Sequence, residues 1–213
     1  MLATSLIFSF AVVIFSIVIH EVSHGAVANN LGDSTAKNAG RLTLNPLKHI
    51  DLVGMILLPA LLIFTTGRAF GWAKPVPVNP FNFRDQKYGS LKVASAGPIS
   101  NLLIALFFGL LIRFALFSNL SFLPTSFYYI VSFIVSINIL LAIFNLMPIP
   151  PLDGSHILFS LMPDSMRDIK IFLSRFGFFI LIFLIFFFSP FSRFLGYAVD
   201  SLFTLIVGAP PLI

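Results

Sequence analysis

The sequence HEVSH at residues 20–24 carries the residue types of a zinc-dependent hydrolytic site. On an α-helix, residues four apart lie one above the other, so His20 and His24 offer two imidazoles to one metal ion, with Glu21 beside them. A carboxylate in that place can accept a proton from a water that the metal activates. Glu21 is the only glutamate among 213 residues, and two of the four histidines flank it. A surplus of these residue types therefore does not explain the pattern.

A further candidate metal ligand is Asp153, within the sequence NLMPIPPLDG at residues 145–154. The three prolines of this stretch end the preceding helix, and Gly154 permits a turn that other residues resist. Asp153 is thereby expected to project from an irregular corner. The sequence AGPISN at residues 96–101 adds small residues and the amide of Asn101 near the same face of the molecule.

Composition indicates an integral membrane protein. The chain has 58% hydrophobic residues, 10% charged residues, 27 phenylalanines and a mean hydropathy of +1.00. Soluble domains contain about a quarter charged residues. The net charge of +5 is carried on short segments between apolar runs, which is typical of membrane topology signals and not of a nucleic-acid surface. The absence of cysteine excludes disulfides and a thiol nucleophile.

We predict an all-α polytopic membrane protein that forms a single domain over residues 1–213. Apolar runs long enough for the ~30 Å hydrocarbon core predict its transmembrane helices. These spans cover residues 3–28, 92–117, 127–148 and 171–190. The run at 194–208 is shorter and contains Asp200, so it either spans the membrane or lies in the interface. Asp153 follows the third span, where irregular backbone is tolerated only if protein or an aqueous cavity covers it.

Positive charge indicates the orientation of the chain. The loops at residues 29–50 and 67–92 carry most of the lysines and arginines, so both are expected in the cytoplasm. The N-terminus is then outside, and the site faces the cytoplasmic side of the plasma or inner membrane. Between the loops, residues 52–66 are apolar but short for a span and contain Gly54 and Pro59. They are predicted to form a re-entrant segment.

Together, these motifs resemble those of the site-2 protease family of intramembrane zinc metalloproteases. The resemblance covers residues from about 15 to 157. It rests on HExxH in the first span, GPxxN in the second and NxxPxxPLDG at the end of the third. The chain looks like a minimal form of this family, without PDZ or CBS domains. The activity implied is hydrolysis of peptide bonds in or near transmembrane segments of substrate proteins, within the lipid bilayer and without nucleic acid.

The resemblance also implies site residues. His20, His24 and Asp153 match the zinc ligands, Glu21 matches the catalytic glutamate, and Asn145 matches the asparagine that contacts substrate or transition state. Two imidazoles and one carboxylate would hold one zinc ion per chain and leave a position for water. Glu21 would return the proton to the leaving amine, and Asn145 would donate to the oxyanion.

A helical substrate must unwind before its peptide bond can be hydrolysed. The stretches at residues 40–44 and 73–78 are predicted to be short membrane-associated strands, the second of edge or polyproline type because of its prolines. We hypothesise that the unwound substrate pairs by strand addition with the edge at residues 42–44.

Other interpretations stay open from the sequence. The same buried histidines and carboxylates would also suit a transporter or channel that passes protons or metal ions, although no internal repeat is visible. A membrane-anchored zinc protease that cuts soluble or loop segments is another alternative. Asn101 also suits a simple interhelical hydrogen bond. His156 also suits an ordinary helix start, and His49 suits a structural role in its loop.

Overall fold

The computed structural model describes residues 2–57, 60, 63–64, 71, 74–118 and 123–211. Its helices are α1 (Leu2–Asn30), α2 (Thr35–Asn38), α3 (Gly89–Phe117), α4 (Thr125–Asn145), α5 (Asp153–Leu161), α6 (Arg167–Phe187) and α7 (Ser189–Val207). Short 3-10 turns cover Pro46–Lys48, Pro80–Asn82 and Asp164–Met166, and a π-helical turn covers Val53–Leu57. No β-strand occurs within these ranges. The prediction of an all-α protein is therefore confirmed for them.

Four of these helices are long and apolar enough to cross a membrane: Ile7–Asn30 within α1, and the whole of α3, α4 and α6. They lie close to the four predicted spans. The third ends at Asn145, three residues before the predicted boundary, because the proline-rich stretch that follows cannot continue a helix. α7 begins at Ser189 and carries Arg193 and Asp200, and it is not among the four.

α3 is the central helix and contacts α1, α4, α5 and α7. It runs antiparallel to α1, because Asn101 contacts Ser16 while Val93, earlier on α3, contacts His24, later on α1. α4 runs parallel to α1, since Asn138 contacts Ser16 and Asp153, just beyond α4, contacts His24. The ends of α1 and α4 thus meet at one level beside the first half of α3.

The apolar core lies along the second half of α3, where this helix packs against α4 and α7. Fully buried side chains from these three helices pack together there, among them Ile112, Ile139 and Phe203. Burying a side chain of this size contributes about 1.5–3 kcal/mol when water is the reference. In the bilayer the same contacts act through close packing.

The prediction of two strands is wrong for the residues that are described. Residues 40–44 contain a turn and two bends, and residues 74–78 have no regular secondary structure and no ladder partner, while Ala73 lies outside the described residues. The two stretches are joined instead by the Arg41 side chain, which donates to the carbonyls of Lys74 and Pro75 over 3.1 and 3.3 Å. Prolines remove the N–H donors that a ladder would need. Strand addition at residues 42–44 therefore has no strand to build on.

Six of the fifteen residues of the predicted re-entrant segment, residues 52–66, lie outside the described residues. Its start is a π-helical turn, where the Asp51 carboxylate accepts hydrogen bonds from the Val53 and Gly54 amides. Its flanks meet, because the Lys74 amide donates to the His49 carbonyl over 3.1 Å. The chain between residues 49 and 74 thus begins and ends at one place, and its path stays a prediction.

Candidate metal centre

Three predicted metal ligands converge in the structure. His20 Nε2 lies 3.0 Å from Asp153 Oδ2, His24 Nε2 lies 3.3 Å from the same oxygen, and the two Nε2 atoms are 3.1 Å apart. Both imidazoles are buried. The structure thus brings together side chains from α1 and from the start of α5, which are separated by about 130 residues of sequence.

The outer nitrogens of both imidazoles are held by carbonyl oxygens. His20 Nδ1 lies 2.7 Å from Asn101 Oδ1, and His24 Nδ1 lies 2.7 Å from the Val93 carbonyl oxygen. A carbonyl oxygen only accepts, so each Nδ1 carries a proton and donates it. In the neutral rings, Nε2 is then the lone-pair nitrogen, and both Nε2 atoms face Asp153. This is the orientation that metal-binding histidines take.

The donor set fits a zinc ion. Two imidazole lone pairs and a carboxylate oxygen at such short separations repel one another unless a positive charge lies among them. Asp153 Oδ2 is buried and receives no hydrogen bond within the described residues. Two histidines and one carboxylate are also a ligand set of catalytic zinc, which keeps a further position open. His20, His24 and Asp153 could therefore hold zinc.

Two glycines create the space that this centre needs. A Cβ atom built on Gly97 would lie 2.4 Å from His24 Nε2 and 2.5 Å from His20 Nε2, so α3 passes directly against the ligand nitrogens. A Cβ atom on Gly154 would lie 2.1 Å from the Leu146 carbonyl oxygen, so α5 starts tightly against the end of α4. That contact holds Asp153, the first residue of α5, at the level of His20.

Comparison with known proteins identifies the family. Residues 120–184 match the family model described as peptidase family M50. The chain is 40% identical over 180 residues to YwhC of Bacillus subtilis (strain 168), and the match covers 83% of this chain and 78% of that protein. The chain belongs to peptidase family M50. This confirms the resemblance to the site-2 protease family, and the M50 protein is a metallopeptidase.

A second relative agrees. Rip2 of Mycolicibacterium smegmatis is 32% identical over 143 residues, which are 66% of this chain and 52% of Rip2. Both relatives are named as candidate zinc metalloproteases. No solved structure matches the chain. With four apolar helices, this M50 member is a multi-pass membrane protein. Its family implies membrane-embedded substrates and favours a protease over the transporter or channel alternative.

A buried polar network lies beside the candidate metal centre of this M50 protein. The Asn101 side-chain amide donates to Asn138 Oδ1 over 2.8 Å and to the Ser16 carbonyl over 3.3 Å. Asn138 in turn donates to Ser16 Oγ and to the Ile134 carbonyl. Asn101 and Asn138 are both fully buried. Sequence reasoning missed Asn138, although an asparagine inside an apolar span is itself a signal of such a network.

Glu21 lines a cavity of about 740 Å³ that also contacts the three candidate ligands. Its Oε2 accepts a hydrogen bond from the Val76 amide over 2.9 Å. Glu21 is outside the cluster of three candidate ligands, which agrees with a role beside the metal and not on it. Val76 is a contact that sequence reasoning did not foresee.

The structure places the remaining candidates around this cavity or away from it. Asn145 lines the cavity, and its side-chain amide donates to the Leu141 carbonyl one turn earlier, so its contact to substrate stays a prediction. His156 lines the cavity and is exposed. His49 is buried with its Nε2 2.9 Å from the Thr43 carbonyl oxygen, which is a contact within its own loop.

Proposed function

We propose that this M50 protein is an intramembrane zinc endopeptidase that hydrolyses peptide bonds in or near transmembrane segments of other proteins. His20, His24 and Asp153 would bind one zinc ion, and Glu21 would act as general base. The observation that carries the proposal is the convergence of three acceptor atoms, the two histidine Nε2 atoms and Asp153 Oδ2. Each histidine donates its Nδ1 proton to a carbonyl oxygen outside this cluster.

The residues of the chain take distinct roles in this reaction. When bound, zinc supplies Lewis acidity toward the scissile carbonyl and lowers the pKa of water. Glu21 accepts the proton of the attacking water and delivers it to the leaving amine, so no covalent intermediate forms with the enzyme. Asn145, on the cavity wall, would donate to the oxygen that gains negative charge, an interaction worth about 3 kcal/mol in comparable sites.

The position of the site supports hydrolysis at the membrane boundary. The candidate ligands lie late in α1, just after α4, and beside the first half of α3, all toward one face of the bundle. The basic loops at residues 29–50 and 67–92 join this same end, so we propose that it faces the cytoplasm. The whole chain, residues 1–213, would act as one membrane-embedded protease domain, with the N-terminus outside.

The experiment is cleavage by purified protein reconstituted with a panel of single-span model substrates. The wild type should cleave at least one substrate and contain zinc by elemental analysis. Glu21→Gln should keep zinc and lose turnover, because it removes the base and spares the ligands. Asp153→Ala should lose zinc because one of three protein ligands is gone.

Asp168→Asn serves as the matched control, since Asp168 is an exposed carboxylate in the first turn of α6. It should keep both zinc and turnover. Wild-type turnover by Glu21→Gln, or full zinc occupancy in Asp153→Ala, would overturn the assignment of that residue. Cleavage of soluble peptides alone would favour the membrane-anchored protease alternative.

A further inference from the structure

The segment Lys74–Asn79, which has no regular secondary structure, contacts Glu21 through Val76. We propose that this segment positions the Glu21 carboxylate, through the hydrogen bond that the Val76 amide donates to Glu21 Oε2 over 2.9 Å. Val76 is then a positioning residue for the reaction. The inference rests on the proposed function, because it takes Glu21 as the general base.

The sequence of the segment isolates this one donor. Val76 stands between Pro75 and Pro77, and proline has no backbone N–H, so Val76 carries the only amide hydrogen of the three residues. Proline also fixes its own φ near −65° and favours extended backbone in the residue before it. Pro-Val-Pro is thus a stiff, extended stretch with a single donor, which lies against the only glutamate of the chain.

The side chain of Val76 is seated in a notch on α1. Gly25 lies one helical turn after Glu21 and therefore on the same face of α1. A Cβ atom on Gly25 would lie 2.9 Å from Val76 Cγ1 and 2.6 Å from Leu42 Cδ2, so the missing side chain leaves the room that Val76 fills. Val76 is 7% exposed. Val76 therefore packs against the same face of α1 that carries Glu21.

Buried charged side chains fasten both ends of the segment. At the start, Arg41 donates to the carbonyls of Lys74 and Pro75, and it is 8% exposed. At the end, Asp33 Oδ2 accepts the Asn79 amide over 2.7 Å, and Asp33 is fully buried. Burying a charge is costly unless it is paired or hydrogen-bonded, and here the ends of the segment supply those bonds. The segment is therefore anchored on both sides of Val76.

The bond fixes the rotation of the carboxylate without using up its capacity. An ionised carboxylate accepts at about four lone-pair sites, so one amide on Oε2 leaves room for a water proton. Hydrogen bonds to charged groups contribute more than neutral ones, and misplacing a reacting group lowers the rate of the chemical step. Loss of the Val76 donor should lower kcat about tenfold or more.

The experiment removes the amide hydrogen in two ways. Val76→Pro deletes the donor, and replacing Val76 by its α-hydroxy acid analogue deletes it while keeping the side chain. Val76→Ala keeps the donor and reports the packing contribution alone. We expect both donor deletions to lower kcat about tenfold or more below that of Val76→Ala, with KM and zinc content the same as in Val76→Ala.

A spectroscopic readout is possible because Glu21 is the only glutamate in the chain. Labelling with glutamate carrying ¹³C at the side-chain carboxyl, in protein with a glutamate-free tag, gives one isotope-shifted carboxylate band in the infrared. Both donor deletions should shift this band, and Val76→Ala should leave it in place. This readout does not depend on turnover.

The outcomes separate the inference from the proposed function. If the wild type fails to cleave, or Glu21→Gln cleaves, the proposed function fails. If those two behave as expected but the donor deletions match Val76→Ala in kcat and band position, only the positioning inference fails. Faster turnover after donor deletion would also overturn it, because the segment would then be an inhibitory cover. If Val76→Pro does not fold, the α-hydroxy acid variant decides.

Discussion

Asn101 Oδ1 lies 2.7 Å from His20 Nδ1, and this contact fixes which nitrogen of His20 faces the candidate metal centre. The amide nitrogen of Asn101 donates to Asn138 Oδ1 and to the Ser16 carbonyl, so the side chain cannot turn over without losing both bonds. Its oxygen must therefore face His20. Asn101 therefore orients the His20 imidazole as well as linking α3 to α1 and α4.

We predict that Asn101→Ala lowers zinc affinity about 10- to 100-fold, the usual effect of removing the partner that orients a metal-binding histidine. Titration of the zinc-loaded protein with a chelator measures this directly. Asn145→Ala is the matched control, because Asn145 lines the cavity but bonds to Leu141 and not to a candidate ligand. Equal chelator resistance in Asn101→Ala and wild type would contradict the prediction.

The second prediction concerns Gly97. A methyl group there would lie 2.4 Å from His24 Nε2 and 2.5 Å from His20 Nε2, far inside van der Waals contact. Gly97→Ala must therefore displace the imidazoles or α3, and zinc content and turnover should fall together.

Gly196→Ala is the control for this change. Gly196 lies within α7, and no neighbouring atom comes within 4 Å of the place that an alanine methyl group would occupy. Alanine should therefore be tolerated there and should stabilise the helix by about 0.5–1 kcal/mol. Elemental analysis and thermal unfolding in detergent compare the two variants. Zinc retention in Gly97→Ala at the wild-type level would show that α3 does not constrain the ligands.

Sequence spacing was enough to predict the helices and the candidate ligands. The four-residue spacing of His20 and His24 follows from helical periodicity, and the apolar runs follow from membrane thickness. The contact between Glu21 and Val76 joins residues 55 apart, and local periodicity carries no information about such a pair. The Pro-rich stretch was predicted as a strand because extended backbone and pairing have the same local signature, while the ladder partner depends on the tertiary fold.

The third prediction concerns the hydrogen bonds by which Asp33 joins α2 to the segment Lys74–Asn79. This joint should be sensitive to acid. Burial alone would raise the pKa of Asp33, but hydrogen bonds from Thr35, Asn79 and Asn82 outweigh it and hold the pKa below the ordinary value of 3.8. A carboxyl group with a lowered folded-state pKa stabilises the fold above its unfolded pKa, and this stability is lost as the pH falls through the folded value. Below about pH 4, the joint between α2 and the end of the Lys74–Asn79 segment should therefore weaken.

Thermal unfolding in detergent between pH 3 and pH 7 tests this joint. Asp33→Asn should lower the Tm at neutral pH and flatten the acid side of the profile. Asp85→Asn is the comparison. The pKa of Asp85 is also lowered, chiefly by the hydrogen bond from Lys92. This ion pair is exposed, so its contribution to stability should be sensitive to salt. If the Tm of Asp33→Asn falls at acid pH just as that of the wild type does, protonation of Asp33 is not the cause of the lost stability.

The fourth prediction is that residues 31–88 cross the membrane an even number of times or not at all. α1 and α3 are antiparallel neighbours, and Ala28, Phe83 and Val93 share one buried cluster, so the end of α1 and the start of α3 lie at one membrane face. The chain between them must then cross an even number of times. One crossing by residues 52–66 would separate its ends by about 30 Å, whereas the His49 carbonyl and the Lys74 amide are hydrogen-bonded.

Cysteine labelling tests this topology, because the native chain has no cysteine. Single cysteines in place of the exposed residues Lys48 and Lys87 should both react with a membrane-impermeant thiol reagent from the same side, which we propose is cytoplasmic. Ser118, directly after α3, should react from the opposite side and serves as the control. If Lys48 and Lys87 label from opposite faces, a crossing lies between them. The antiparallel packing that brings Gly97 against His20 and His24 would then be incompatible with the membrane topology, and the zinc assignment would fail with it.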